Sequence, residues 1–338
     1  MALKELKWEV DLQSSGTRKL LNETHVLFME LQELCEENPD RDMLLSMSLQ
    51  YRAVLGSCIM KLQQSMVSNR NKKLGEGIKD ELDLFSIMEL IWHLCEVLLI
   101  ESQSGGYCLK QLLSWIRIHF TDADKLGQSV MACEDPYSHA DYWSTIHGFV
   151  LQGRLDEVCD LLTHHPQRDH GSFDVFANIE ELMKKMPVYQ VKQGQSAGEF
   201  SSKWNEWQEE CSTRLQDGDF SQHPELELVC ELLLGNDSAL IKTRDLCQSW
   251  YQILVAKLLY SEPLIKTTNL NHHAVEAMEM FNGIGKVTAL DEIILSAISL
   301  DPHKLIETCS DALPNWWFVA HLTDLLFHAG LLKSINLE

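Results

Sequence analysis

Fourteen histidines and ten cysteines are spread through the 338 residues, and these are the side chains that could hold a metal or attack a substrate. Metal chemistry needs ligands at fixed spacing. His164, His165 and His170 lie near Asp169, but adjacent histidines point to different sides of a helix or turn and chelate poorly. There is no H-E-x-x-H string, no C-x-x-C pair and no zinc-finger spacing, so no metal site is expected. His321 and His328 stand seven apart on one helical face beside Trp316, Trp317 and Phe318. They read as amphipathic side chains at a helix–helix seam rather than a cofactor box. The cysteines fall in apolar helical runs such as Trp92-His93-Leu94-Cys95. That placement predicts reduced, buried thiols of a cytosolic or nuclear chain and no activated nucleophile. Gly283-Ile284-Gly285-Lys286-Val287 resembles part of a phosphate-binding loop, but the first Gly is missing and Val287 replaces the magnesium-binding hydroxyl. Carboxylate pairs such as Glu209-Glu210 are charges on an exposed helix face, with nothing to drive their pKa values apart. The expectation is a protein that is not an enzyme, with no catalytic residue and no cofactor.

Tryptophan is the residue used to unusual extent. Trp204 and Trp207 share a helix face, and Trp316-Trp317 cannot both face one core. One of that pair must pack on a neighbouring helix or on a partner, where aromatic side chains anchor interfaces.

The elements that carry these residues are helices. Apolar residues make up 45% of the chain, enough for a real core, while Pro (8) and Gly (17) are scarce. Helical spacing begins at Leu20 and runs to Leu34, then from about Arg41 to Val67. Residues 69–77 are polar and read as a loop, and a strongly apolar helix follows from Leu82 to Ile100. Shorter helices are expected from Cys108 to the end, the last being Trp316–Phe327. Three helices end at a glycine and restart at once, at Gly153, Gly235 and Gly330. Glycine takes the left-handed cap at low cost and lets the next helix fold back. The uneven spacing predicts an all-α, irregular α-solenoid rather than a fixed-period repeat. The first residues differ: Leu6, Trp8, Val10 and Leu12 alternate with charged residues, the period of a strand. One reading is a frayed tail or helix start; the other is a single strand lent to the sheet edge of a partner, with those four residues as its contacts. Residues 1–16 are thus an N-terminal segment and 17–338 the helical body.

A net charge of -22 repels phosphate backbones and anionic lipid, and Lys72-Lys73 is too short to offset it, so no direct nucleic-acid contact is expected. No uncharged apolar run reaches the length of a membrane span, and no leader-like apolar region opens the chain, so no membrane insertion is expected.

Four strings carry a resemblance. They are Met88 through Glu96 (MELIWHLCE), Val150 through Glu157 (VLQGRLDE), Lys203-Trp204 through Trp207 with Glu209-Glu210-Cys211, and Asn315 through Leu326 (NWWFVAHLTDLL). In this order they are similar to the eighty-five-kilodalton nucleoporin family, and the likeness runs from about Leu20 to the end. The resemblance implies the ancestral coatomer element fold, in which a helical trunk runs out, folds back as a crown and returns. It implies a structural scaffold of the Y complex, the outer ring of the nuclear pore complex at the nuclear envelope, supporting transport of mRNA and protein. Family members are expected to bind other Y-complex nucleoporins and a small β-propeller nucleoporin related to the Sec-thirteen coat protein, by lending it an N-terminal blade. Here fewer than twenty residues precede the first helix, room for one strand, and the chain stops soon after the tryptophan motif. It therefore reads as truncated at both ends, with returning helices and C-terminal tail missing and apolar faces left uncovered. Another coat-like or tethering scaffold is the alternative, distinguished by the Asn315–Leu326 motif.

Overall fold

A computed structural model describes residues 14–36, 39–68, 72–102, 106–163, 165–168, 174–189, 194–282, 287–313 and 315–332. The described elements are helical. In chain order they are α1 (Ser15–Glu36), α2 (Arg41–Ser68), α3 (Lys72–Cys95), α4 (Leu109–His119), α5 (Asp122–Met131), α6 (Tyr142–Leu151), α7 (Leu155–Thr163) and α8 (Val175–Lys185). Then come α9 (Ala197–Gln216), α10 (Pro224–Leu233), α11 (Asp237–Thr243), α12 (Trp250–Ser261), α13 (Leu270–Asn282), α14 (Ala289–Ile298), α15 (Pro302–Ala312) and α16 (Trp316–His328). Stacked helices of uneven length make this an all-α solenoid, as the periodicity predicts. They group into two compact units, a terminal unit (Ala2–Cys108 with Lys286–Glu338) and a central unit (Leu109–Gly285).

In the terminal unit α2 is the spine. Leu44, Ser48, Tyr51, Leu55, Cys58 and Leu62 are buried at three- and four-residue spacing, one face of a helix. By length and composition α2 could cross a membrane, but that face is packed between α1 and α3. The start of α1 lacks an acid in its first turn. Ser14 Oγ accepts from the Gly16 and Thr17 amides, and Glu81 of α3 accepts from the Thr17 amide at 3.1 Å and from the Ser14 hydroxyl. A carboxylate on a neighbouring helix thus meets the positive end of the α1 dipole. The helix expected from Leu82 begins at Lys72 instead. Its first turns carry Gly75, Gly77 and many charged residues, a composition that reads as a loop although Leu74, Ile78 and Leu82 keep a four-residue apolar spacing; the buried stretch beyond propagates the helix backward. From Leu84 to Ile100 nearly every side chain is buried, because α2 and α14 both cover α3. α3 continues into a π-helical turn, Glu96–Glu101, whose Ile100 carbonyl and the following Ser102 carbonyl accept from the Arg41 guanidinium.

In the central unit α12 is buried almost all round, from Trp250 to Tyr260, with α4, α6, α11 and α13 against it. Gly153 and Gly235 end α6 and α10 in the left-handed region, φ 63° and 67°. Each closes the paired bonds of a Schellman turn: Gly153 N to Val150 O with Arg154 N to Phe149 O, and Gly235 N to Leu232 O with Asn236 N to Glu231 O. Both turns press on the end of α12. A Cβ on Gly153 would lie 2.6 Å from Leu259 Cδ2, and one on Gly235 would lie 3.3 Å from the Tyr260 backbone. The Tyr260 hydroxyl then donates to Val150 O at 2.6 Å.

Candidate functional site: the tryptophan seam

The Asn315–Leu326 string forms α16 and closes the terminal unit. Asn315 caps the helix, its side-chain oxygen accepting from the Phe318 amide at 3.1 Å. Trp317 is 2% exposed, while Trp316 is 58% exposed, so the two indoles divide as their adjacency requires. The Trp317 indole N–H donates to Thr24 Oγ1 of α1 at 2.9 Å, and that hydroxyl donates to Leu20 O. Its ring stacks on Trp92 of α3 at 6.3 Å, and Phe318 meets the same Trp92 edge-on at 6.1 Å. Tyr51 of α2 lies 5.2 Å from Trp92 and 5.4 Å from His321. One turn further, Gln32 of α1 donates to Asp324 at 2.8 Å. One helix thereby touches α1, α2 and α3. The His321 pKa is held below its ordinary value by burial, so the imidazole is neutral and serves as a seam residue. His328 pairs with Asp324 at 3.4 Å.

A polar chain runs beneath the seam. The Trp92 indole N–H donates to Ser48 Oγ at 3.0 Å, and that hydroxyl donates to Glu96 at 2.8 Å. Arg52 meets the same carboxylate at 2.9 Å. Burial raises the Glu96 pKa, and Arg52 works against that rise. Burial also raises Glu89, two turns away on the same face, and Arg52 again opposes it. His93 between them is pushed down to about 4 by burial and by Arg52. One guanidinium thus serves a seam with more acid than base. The chemistry of this network is to fix how α2 and α3 register.

The sequence-predicted residues fall as follows. Leu6, Trp8, Val10 and Leu12, the expected partner contacts, lie outside the described residues, as do His164, Asp169, His170 and residues 283–286 of the phosphate-loop-like string. His165 stacks on Phe176 at 4.6 Å. Among the described residues no grouping of three His, Cys, Asp or Glu is arranged to hold a metal ion. Cys58, Cys95, Cys159, Cys211, Cys230, Cys247 and Cys309 are buried thiols, and burial pushes Cys159 to about 11 and Cys211 to about 12. Such thiols are inert. Trp204 and Trp207 are buried 4.9 Å apart, with the Trp207 N–H on Leu182 O at 2.8 Å. Gly194-Gln195-Ser196-Ala197-Gly198 spells the G-x-S-x-G of a nucleophile elbow, a string the reading of the sequence wrongly takes to be absent. Its Ser196 is the N-cap of α9, in a capping box with Glu199 at 3.2 Å both ways, so the hydroxyl is a structural acceptor. Sequence reasoning also misses Thr24 and Ser48, the acceptors of the two seam indoles; nothing in a lone hydroxyl on a helix face announces that role.

Comparison with known proteins gives a consistent answer. The model of the Nup85 nucleoporin family matches residues 2–338. Nuclear pore complex protein Nup85 of Danio rerio is 40% identical over 332 residues, 97% of this chain and 51% of that protein. Its Homo sapiens counterpart is 38% identical over 336 residues, 98% of this chain and 51% of its own length. Nuclear pore complex protein Nup75 of Drosophila melanogaster is 28% identical over 324 residues, covering 94% of this chain and 47% of that protein. The chain spans about half the length of the curated relatives it matches.

Proposed function

The chain belongs to the Nup85 nucleoporin family, and from that premise we propose that it is a structural scaffold of the Y complex, the outer ring of the nuclear pore complex, at the nuclear envelope. In this role it supports passage of mRNA and protein and catalyses nothing. The observation that carries the reading is the seam: the Asn315–Leu326 string is spent on closing α16 over α1, α2 and α3, which is what a load-carrying stack needs and an active site does not. Its partners in this reading are other Y-complex nucleoporins and the small β-propeller nucleoporin related to the Sec-thirteen coat protein. The propeller contact runs through the Leu6, Trp8, Val10 and Leu12 strand, added to the open edge of the propeller.

Co-purification of this chain with that propeller, with light scattering to give stoichiometry, tests the assignment. A one-to-one complex lost in a Trp8→Asp, Val10→Asp variant is expected. A complex that survives the variant moves the contact to the helical body, and no complex at all removes propeller binding from this chain.

A further inference from the structure

The side-chain amide of Gln152, just past the end of α6, is only half satisfied. Its Nε2 donates to Phe120 O at 3.0 Å, and this bond fixes which way the amide faces. The residue is 5% exposed, and among the described residues no donor meets its Oε1. A buried carbonyl oxygen without a donor is destabilising. Turning the amide over would bring no relief, because Phe120 O would then face an oxygen.

Gln152 lines a cavity in the central unit, between the end of α4, the start of α5, α6 and the connection into α12. Phe120, Ala123 and Leu151 give it apolar walls, and exposed Gln248 stands at its mouth. The space open to the centre of a water molecule is about 20 Å³, and about 10–15 Å³ of such space holds one water. Gly148 helps to keep it open. It lies inside α6, where glycine is less favourable than alanine. A Cβ there would meet Ala123 Cβ at 3.6 Å, an ordinary contact. Close packing therefore does not demand this glycine, and the room it leaves is part of the cavity.

Charge decides what fits. Asp122 is the charged residue of the lining. Lys125 donates to one of its oxygens at 2.8 Å and the Gln248 amide to the other, bonds that keep the carboxyl ionised. The Lys125 side chain is 71% exposed, so that pair compensates the carboxylate weakly. Cys247, also in the lining, is a neutral buried thiol. An unfilled acceptor inside and a carboxylate nearby call for a donor with positive charge. A primary ammonium is compact and carries three donors, whereas a guanidinium is a broad plane. We propose that this cavity binds a primary ammonium group, one N–H on Gln152 Oε1, the alkyl stem along Phe120 and Leu151, and the charge balanced by Asp122. The group belongs to a small free amine or to a lysine side chain of a partner. The inference rests on the central unit and not on the N-terminal strand or the propeller.

The test adds ethylammonium chloride to the full chain at constant ionic strength and reads ligand-observed saturation-transfer NMR. Ethanol serves as the neutral donor of equal length and tetramethylammonium as the cation without a donor. Ethylammonium alone is expected to bind, at about 1 mM at best for three heavy atoms. Gly148→Ala should abolish the signal while raising the melting temperature of the free chain, so loss of binding cannot be loss of fold. Gln152→Met should abolish it as well, and Asp122→Asn should weaken it by about two- to fivefold. Asp245→Asn, which removes the same charge at an exposed position, should change nothing. A capped lysine tripeptide beside its norleucine twin separates the sources: binding by the lysine peptide assigns the site to a partner's side chain, and binding by ethylammonium alone assigns it to a free amine. Equal binding of ethanol, a signal that survives Gly148→Ala, or no binding by either amine would overturn the proposal.

Discussion

The two units are held by different kinds of contact. In the terminal unit the bonds that matter join residues nearly the whole chain apart: Trp317 to Thr24 and Gln32 to Asp324 are 293 and 292 residues apart in sequence. In the central unit most ties between helices are short in sequence, such as Arg117 to Gln152 at 35 residues, Trp207 to Leu182 at 25 and Gln208 to Leu233 at 25. Local contacts close small loops and form readily; the seam must close a loop of nearly 300 residues before it gains anything. The terminal unit should therefore depend on a few strong anchors, and the central unit on many small ones.

The sharpest way to break that comparison uses two adjacent tryptophans. Trp317→Ala removes a stacked ring and a buried hydrogen bond and should cost about 3–5 kcal/mol. Trp316→Ala, at a mostly exposed position, should stay within about 0.5 kcal/mol. Urea unfolding gives both values. Hydrogen exchange then gives the location: protection should fall in α1, α2 and α3 and hold in α6 and α12. A uniform loss across both units would end the idea of a separately anchored seam.

Next in size is the polar chain under the seam. Arg52→Met leaves Glu96 buried without its cation and should cost about 3 kcal/mol. Adding Glu96→Gln removes the stranded charge and should restore part of that loss. A double mutant no better than the single would mean that Arg52 acts through packing of its stem rather than through Glu96.

Glycine turns sharpen the contrast from the other side. Gly153 and Gly330 both sit at positive φ, 63° and 72°, so Ala at either should cost about 1 kcal/mol from backbone conformation. Only Gly153 is crowded, by Leu259, whereas a Cβ on Gly330 meets nothing within 4 Å. Gly153→Ala should therefore cost about 1–2 kcal/mol more than Gly330→Ala by thermal unfolding.

How much of this could be read beforehand follows from the range of each cause. Helix ends were legible because their causes are local: Gly153, Gly235 and Gly330 all cap as their sequence context predicts, and the Asn315 cap sits one residue before the helix it starts. That one of Trp316 and Trp317 must face outward was also legible, since neighbours on a helix point apart. Which one was not, because the answer lies on Thr24 and Trp92, residues that no local pattern links to α16. The start of α3 at Lys72 was hidden for a different reason: Gly75, Gly77 and the charges around them outweigh the sparse apolar spacing of Leu74, Ile78 and Leu82. The Leu6–Leu12 contacts stay a proposal, their residues lying outside those described.

The seam's acid–base balance gives a smaller effect. His93 titrates at about 4 in the fold, against an ordinary 6.5, because burial and Arg52 disfavour its charged form. A depressed histidine binds its proton more readily when unfolded. Its contribution is intact above pH 6.5 and is lost as pH falls from there toward about 4. Glu89 and Glu96, raised by burial, act in the opposite direction, gaining as the pH falls. Comparing wild type with His93→Gln at each pH isolates the histidine. The stability gap should move against wild type across that window, and a constant gap would mean that His93 contributes by packing alone.

The smallest effect is a gain. Leu300 ends α14 at φ 55°, the left-handed region that glycine occupies at the other turns. The bonds are the same: Leu300 N reaches Ala297 O at 3.0 Å and Asp301 N reaches Ser296 O at 3.2 Å. A leucine held there is strained by its Cβ by about 1 kcal/mol. Leu300 is only half-buried, so little packing is lost with its side chain. Leu300→Gly should thus leave the protein as stable or up to about 1 kcal/mol more stable, the offset being the extra freedom glycine gives the unfolded chain. Its melting temperature, set beside that of Gly330→Ala, runs the same substitution in opposite directions within one unit. A clear loss in Leu300→Gly would show that the leucine side chain anchors the α14–α15 turn, and that the terminal unit has an anchor besides Trp317.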